Sequence, residues 1–230
     1  MKDVMATIFG IGFLFTSTFC FAGEKPELKD LKDKESYSLG YMFGQNIKAQ
    51  RLDINLEVYS SGIRDAVGGT KPILSLEEMQ KTTLELQKRI AAARQKELKE
   101  MGEKNLASGK AFLEENKKKE GVKALPSGLQ YKVLTEGSGK TPKATDQVTV
   151  NYKGTFIDGA EFDSSYKIGK PATFQADKVV RGWTEALQLM KEGSKWQLFI
   201  PAELGYGDRG TGPIPPNSTL IFEVELISVK

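Results

Sequence analysis

From Ser75 to Glu120 the chain carries no proline, and nothing else in the sequence restricts its fold as strongly. Ser75 and Glu78 form the start of a capping box, in which the hydroxyl takes an amide of the first turn and the glutamate reaches back. About 42 helical residues would extend roughly 60 Å, too far for a core element of one small domain. Apolar positions at Leu76, Met79, Leu86, Ile90, Ala93 and Met101 thin out toward the end, leaving a coiled-coil seam incomplete. The pattern predicts pairing along the first half of the helix and a solvated spacer along the second.

The segments on either side follow different rules. Upstream, Leu39, Phe43 and Ile47, then Val58, Ile63 and Val67, recur at helical spacing around the polar turn RLDIN. Two short helices are predicted, and a segment this small rarely supports a core of its own, so it needs a partner surface. Downstream, KKKEGVKALPSG reads as a linker, and from Leu129 the period changes to two. Val148, Val150 and Tyr152 share one face, as do Trp196, Leu198 and Ile200, while Leu220, Phe222, Val224 and Leu226 point inward against Glu223 and Glu225. IDGAE and KIGKP punctuate these strands as turns. The expected divisions are a leader at 1–22, a helical region at 24–72, a long connecting helix at 73–118 and an α+β domain at 119–230.

Composition removes whole classes of chemistry. The chain has no histidine and one cysteine, Cys20, which excludes a histidine general base, a Cys-His pair and a Cys/His metal cluster. Thirty-three basic against thirty acidic residues leave a net charge of +3 with no basic stripe, so no nucleic-acid partner is implied. Lys2, the apolar run Ile8 to Phe15 and the small residues of CFAG form a secretory leader with cleavage expected after Ala22. The run is short for a membrane span, which needs about 20 apolar residues. Ser17 also stands where a lipobox would place leucine.

In VVRGWTEALQLMKEG a helix is predicted from Gly182 to Glu192, ended by Gly193. Trp183, Leu187 and Met190 share its face, so it must lie across the apolar side of the sheet. The indole can plug the core or floor a cavity, and the residues alone leave both open. Asp163 reads as a turn cap or as a partner for Arg181. Phe162 and Phe222 read as core, and Tyr206 as a structural tyrosine within LGYGDRG.

VNYKGTFIDGAEFDSS, VVRGWTEALQLMKEGSKWQLFIPAELGYGDRG and IPPNSTLIFEVELI together resemble the FKBP-type peptidyl-prolyl isomerases over residues 127–230. The stretch YSLGYMFGQNIKAQRLDIN plus the long helix resembles the dimerisation region of secreted bacterial members, of the macrophage infectivity potentiator and FkpA types. The resemblance implies a curved antiparallel sheet wrapped on one short helix, and rotation of X-Pro bonds in unfolded or partly folded polypeptides. It implies Trp183 as floor for the substrate proline ring, with walls from Tyr152, Phe162, Val179, Val180 and Phe222, and with Tyr206 and Ile214 from the loop before the last strand. The Val180 amide and Tyr206 hydroxyl would donate to substrate carbonyls, and Asp163 would sit beside the twisting bond. Ala172 stands where many members carry an aromatic, and the final loop is slightly shorter than in the small eukaryotic members; both are expected to open one wall. The further implications are a homodimer through 24–72 and the long helix, binding of macrolides such as tacrolimus and rapamycin, no cofactor, no metal, and export to the periplasm or outer membrane. A holdase or surface module using the same pocket without turnover is the alternative.

Overall fold

A computed structural model of the chain describes residues 26–230; the expected leader and its cleavage point lie outside the described residues. The chain divides at Lys71/Pro72 into two compact units. The first holds α1 (Leu31–Ala49) and α2 (Leu56–Gly68). Asp30 caps α1 by accepting from the Asp33 amide at 2.8 Å, and Asn55 caps α2 by accepting from the amides of Glu57 and Val58. Gly69, at φ 68°, ends α2 in the left-handed region that glycine reaches without strain. Neither helix buries a residue. Phe43 is 58% exposed and Val67 85%, so the apolar face read from the sequence is present and bare.

The second unit begins with α3 (Leu76–Asn116), 41 residues long and opened by the Ser75–Glu78 capping box. The sheet domain follows as β1 (Val122–Ala124), β2 (Gln130–Thr135), β3 (Gln147–Phe156), β4 (Glu161–Ser164), α4 (Ser165–Ile168), β5 (Ala172–Gln175), α5 (Arg181–Leu187), β6 (Lys195–Ile200) and β7 (Leu220–Val229). All pairings are antiparallel, in the order β1-β2-β6-β7-β3-β4. β5 pairs with the first half of β3 and β4 with the second half, so the two follow one another along a single edge with α4 between them. The inward faces are those the alternation predicts: Val148, Val150, Leu198, Ile200, Leu220, Val224 and Leu226 are fully buried. α5 lies across that face with Trp183, Ala186 and Leu187 in the core.

Three local expectations are corrected. The stretch expected as linker contributes β1, because the ALPSG turn folds it back: the Leu125 amide donates to the Leu129 carbonyl at 2.8 Å, with Gly128 at φ 92°. α5 stops at Leu187 rather than Glu192. The Glu192 amide donates to Lys140, the Glu192 carbonyl accepts from Gly139, and the Gly193 amide donates to Leu226, so tertiary bonds take the groups a longer helix would use. The second half of α3 is also no solvated spacer. Gly102, Gly109 and Asn116 are buried on the sheet domain, and Phe112 packs on Phe199 at 6.0 Å between ring centroids. Asn116 Nδ2 donates to Gln130 Oε1 at 3.0 Å, and Gln130 Nε2 donates to the Leu113 carbonyl at 2.8 Å.

Candidate functional site

The glycine before Trp183 has a steric reason. A Cβ on Gly182 would lie 2.7 Å from Cγ2 of Ile200, so only glycine lets the first turn of α5 rest directly on β6. The Trp183 and Thr184 amides both donate to the Val180 carbonyl, at 2.9 and 3.1 Å, and this turn sends the indole inward, where it is 4% exposed.

Three rings stand edge-on to that indole. Phe222 is 5.2 Å away at 85°, Tyr152 5.4 Å at 85° and Phe174 6.1 Å at 88°. Phe162 meets Phe222 at 5.5 Å and 89°. Edge-to-face pairs are worth about 0.5–1.5 kcal/mol each beyond their burial, so the cage holds itself in shape. β3 makes room for it at Gly154, where a Cβ would lie 2.7 Å from Phe162 and 2.8 Å from Phe222. Asp163, Gly154 and Phe222 are register partners across β4, β3 and β7, which puts the carboxylate and the ring in one row.

The rings enclose a hollow of about 480 Å³, within the usual range for a small-ligand site. Of the residues expected at the site, Tyr152, Phe162, Asp163, Val179, Val180, Trp183, Tyr206, Ile214 and Phe222 line it. Ala172 does not. It sits opposite Val150 in β5, and its methyl packs on the core. The wall it was expected to leave open is filled two residues on by Phe174, opposite Val148. Lys178, Thr211 and Pro213 also line the hollow and carried no periodic signal.

Asp163 meets Tyr152 rather than Arg181. Its Oδ2 accepts from the Tyr152 hydroxyl at 2.7 Å and its Oδ1 from the Ser164 amide at 2.8 Å. Burial, reinforced by the bond to Asp163 and its charge, pushes the Tyr152 phenol far above the usual tyrosine range. Burial and the Asp163 charge push Tyr206 up as well. Two donors are unspent: among the described residues nothing accepts from the Val180 amide or from the Tyr206 hydroxyl. The buried Trp183 Nε1 also lacks a partner.

An antiparallel sheet crossed by one short helix, with an aromatic hollow where that helix begins, defines an FKBP-like α+β domain. The comparisons agree. Residues 138–227 match the family model for FKBP-type peptidyl-prolyl cis-trans isomerase, and residues 32–133 match that for the domain amino terminal to it. Outer membrane protein MIP of Legionella longbeachae is 49% identical over 231 residues, covering 100% of this chain and 98% of that protein. Peptidyl-prolyl cis-trans isomerase Mip of Coxiella burnetii is 42% identical over 100% of this chain and 99% of that one. The crystal structure of FkpA from Escherichia coli aligns with a TM-score of 0.70 at 40% identity, covering 89% of this chain and 99% of that chain. This chain therefore belongs to the FKBP-type peptidyl-prolyl cis-trans isomerases.

The two perturbed phenols set an alkaline expectation. Their raised values mean that the folded chain keeps protons which the unfolded chain releases near about pH 10. Their share of stability is full below that pH and falls as pH rises above it. In a tyrosinate-absorbance titration of the folded chain, two of the seven tyrosines should ionise late, and Tyr152→Phe should remove one of the two. A single step for all seven near about pH 10 would contradict the buried, carboxylate-facing placement.

Proposed function

We propose that this chain is a peptidyl-prolyl isomerase of exported polypeptides, working as a homodimer that also shields folding clients. One observation carries the catalytic half: a ring-lined, indole-floored hollow with two unpaired donors at its wall and rim. Rotation about an X-Pro amide must cross about 18–20 kcal/mol because twisting destroys resonance. The planar amide is the more charge-separated form and is the better solvated by water. Seating the proline ring on Trp183 among Tyr152, Phe162 and Phe222 removes that solvation and favours the twisted form, a case of differential binding. The Val180 amide and the Tyr206 hydroxyl hold the flanking carbonyls in the twisted geometry. Asp163, tied to Tyr152, holds that ring in place beside the rotating bond. Each 1.36 kcal/mol gained in this way is a factor of ten in rate, so a few such contacts suffice. The ring-lined hollow also suits macrolides such as tacrolimus and rapamycin.

The dimer rests on α1 and α2. Their apolar side chains, Leu39, Phe43, Val58 and Val67 among them, are exposed in the single chain, and neither helix buries a residue. A second copy presenting the same face would cover them about a two-fold axis. Two sites on one client would gain from effective concentration. Export agrees with the sequence leader and with a relative called an outer membrane protein. Among the described residues no helix is long and apolar enough to cross a membrane.

The catalytic reading is tested by following cis–trans exchange of a proline peptide with the full chain. Acceleration over buffer is expected, and Tyr206→Phe should lower kcat/KM about ten-fold, the worth of one well-placed hydrogen bond. A chain that binds the peptide yet leaves its exchange rate unchanged is a binding module, and the reading fails. For assembly, sedimentation of the full chain should give a dimer, and Leu39→Glu with Phe43→Glu should give a folded monomer. A monomeric unmodified chain at micromolar concentration would remove the dimer.

A further inference from the structure

α3 buries three residues, Gly102, Gly109 and Asn116, spaced seven apart along one stripe. Two of them are glycines inside a helix, where glycine costs about 0.5–1 kcal/mol relative to alanine. The space explains them. A Cβ on Gly102 would meet Pro216 Cβ at 3.1 Å, and one on Gly109 would run into the Thr219 hydroxyl. The helix backbone is thus laid directly against residues 216–219, the strap that enters β7.

That strap is fastened on both sides. Asn105 Nδ2 donates to the Pro216 carbonyl at 2.9 Å, and Asn217 Nδ2 donates to the Gly102 carbonyl at 3.2 Å. Pro215 and Pro216 have no N–H to offer, so their carbonyls are the fixing points; Pro215 accepts from Ser218 Oγ at 2.8 Å. Asn217 sits at φ 55°, a conformation asparagine tolerates better than most residues. Its amide donates to the Gly207 carbonyl at 2.8 Å, directly after Tyr206. On the near side, Thr211 and Ile214 exchange backbone bonds at 2.9 and 2.8 Å, which closes a tight loop whose Pro213 and Ile214 line the hollow. Asn217 therefore links the long helix to the segment after Tyr206, and the strap it anchors runs on from the Ile214 loop through Pro215 and Pro216.

We propose that α3 braces the isomerase pocket and sets its affinity for the prolyl peptide, with Asn105 and Asn217 as positioning residues for the wall formed by Pro213 and Ile214. The inference rests on the proposed isomerase function. The brace holds a wall rather than a reacting group. Loosening it removes binding common to the ground and transition states, which raises KM and spares kcat. It also makes the pocket responsive to the placement of α3, which a self-contained sheet domain would not be.

The test uses full-length variants in the proline-peptide assay, with KM and kcat resolved. Asn217→Gly keeps the positive φ and cuts the tether; Gly109→Ala wedges the helix off Thr219. Each should raise KM about five-fold with kcat within about two-fold. Adding Thr219→Ala to Gly109→Ala removes the clashing hydroxyl and should bring KM back most of the way. Asn116→Ala, which loosens the same helix against Gln130 away from the strap, should lower the melting temperature without moving KM. Should Gly109→Ala fail to fold, Asn217→Gly and Asn105→Ala decide. The brace is overturned if these variants leave KM unmoved, or if KM follows melting temperature in Asn116→Ala as well. An unmodified chain with no activity overturns the functional reading and the brace together; an active chain with unmoved variants overturns the brace alone.

Discussion

The site depends on how closely backbone can approach a cluster of aromatic rings. At Gly182 the start of α5 lies on Ile200, and at Gly154 strand β3 passes beneath Phe162 and Phe222 with no room for a methyl group. These two approaches allow Phe222, Tyr152 and Phe174 to stand edge-on around Trp183 within 5.2–6.1 Å. Each of these pairs is then close to perpendicular, an arrangement the aromatic quadrupole favours. What remains between the rings is a hollow, because planar groups at right angles cannot fill the corner they enclose.

Polar groups share that corner with the rings: Tyr152, Asp163, Lys178, Tyr206 and Thr211 all line it. The one carboxylate at its wall, Asp163, is engaged by the Tyr152 hydroxyl and the Ser164 amide. The phenols stay protonated well into the alkaline range, so both remain donors at neutral pH. The Val180 amide is left unpaired because it precedes the first turn of α5, where an intrahelical acceptor does not exist. A helix start thus supplies the indole and a free donor within four residues.

Much of this was legible because alternation and helix spacing report burial. The inward strand faces, the capping box at Ser75 and Glu78, and the shared face of Trp183 and Leu187 are all periodic features. The FKBP-like resemblance then proposed Tyr152, Phe162 and Tyr206 as neighbours of Trp183. Phe174 escaped because its place depends on β5 pairing with β3 in one register, which no local pattern specifies. Lys178, Thr211 and Pro213 come from irregular segments. The docking of α3 was hidden for a different reason: beside the ring contact of Phe112, its closest contacts are made by Gly102, Asn105, Gly109 and Asn116, small or polar residues that a hydrophobic pattern counts as solvated. Close helix packing through glycine leaves only a short apolar stripe, at Leu106, Phe112 and Leu113, to read.

If the hollow speeds amide rotation by excluding water and holding a twisted geometry, no proton moves in the rate-limiting step. The most direct measurement is the solvent deuterium isotope effect on kcat/KM for a proline peptide with the full chain. The account requires a ratio of about one, because the donors stay bonded to their own hydrogens throughout. A ratio of about two or more would mean that a proton is in flight at the transition state, and that Asp163 or Tyr206 acts as an acid or base rather than as part of a dry, rigid wall.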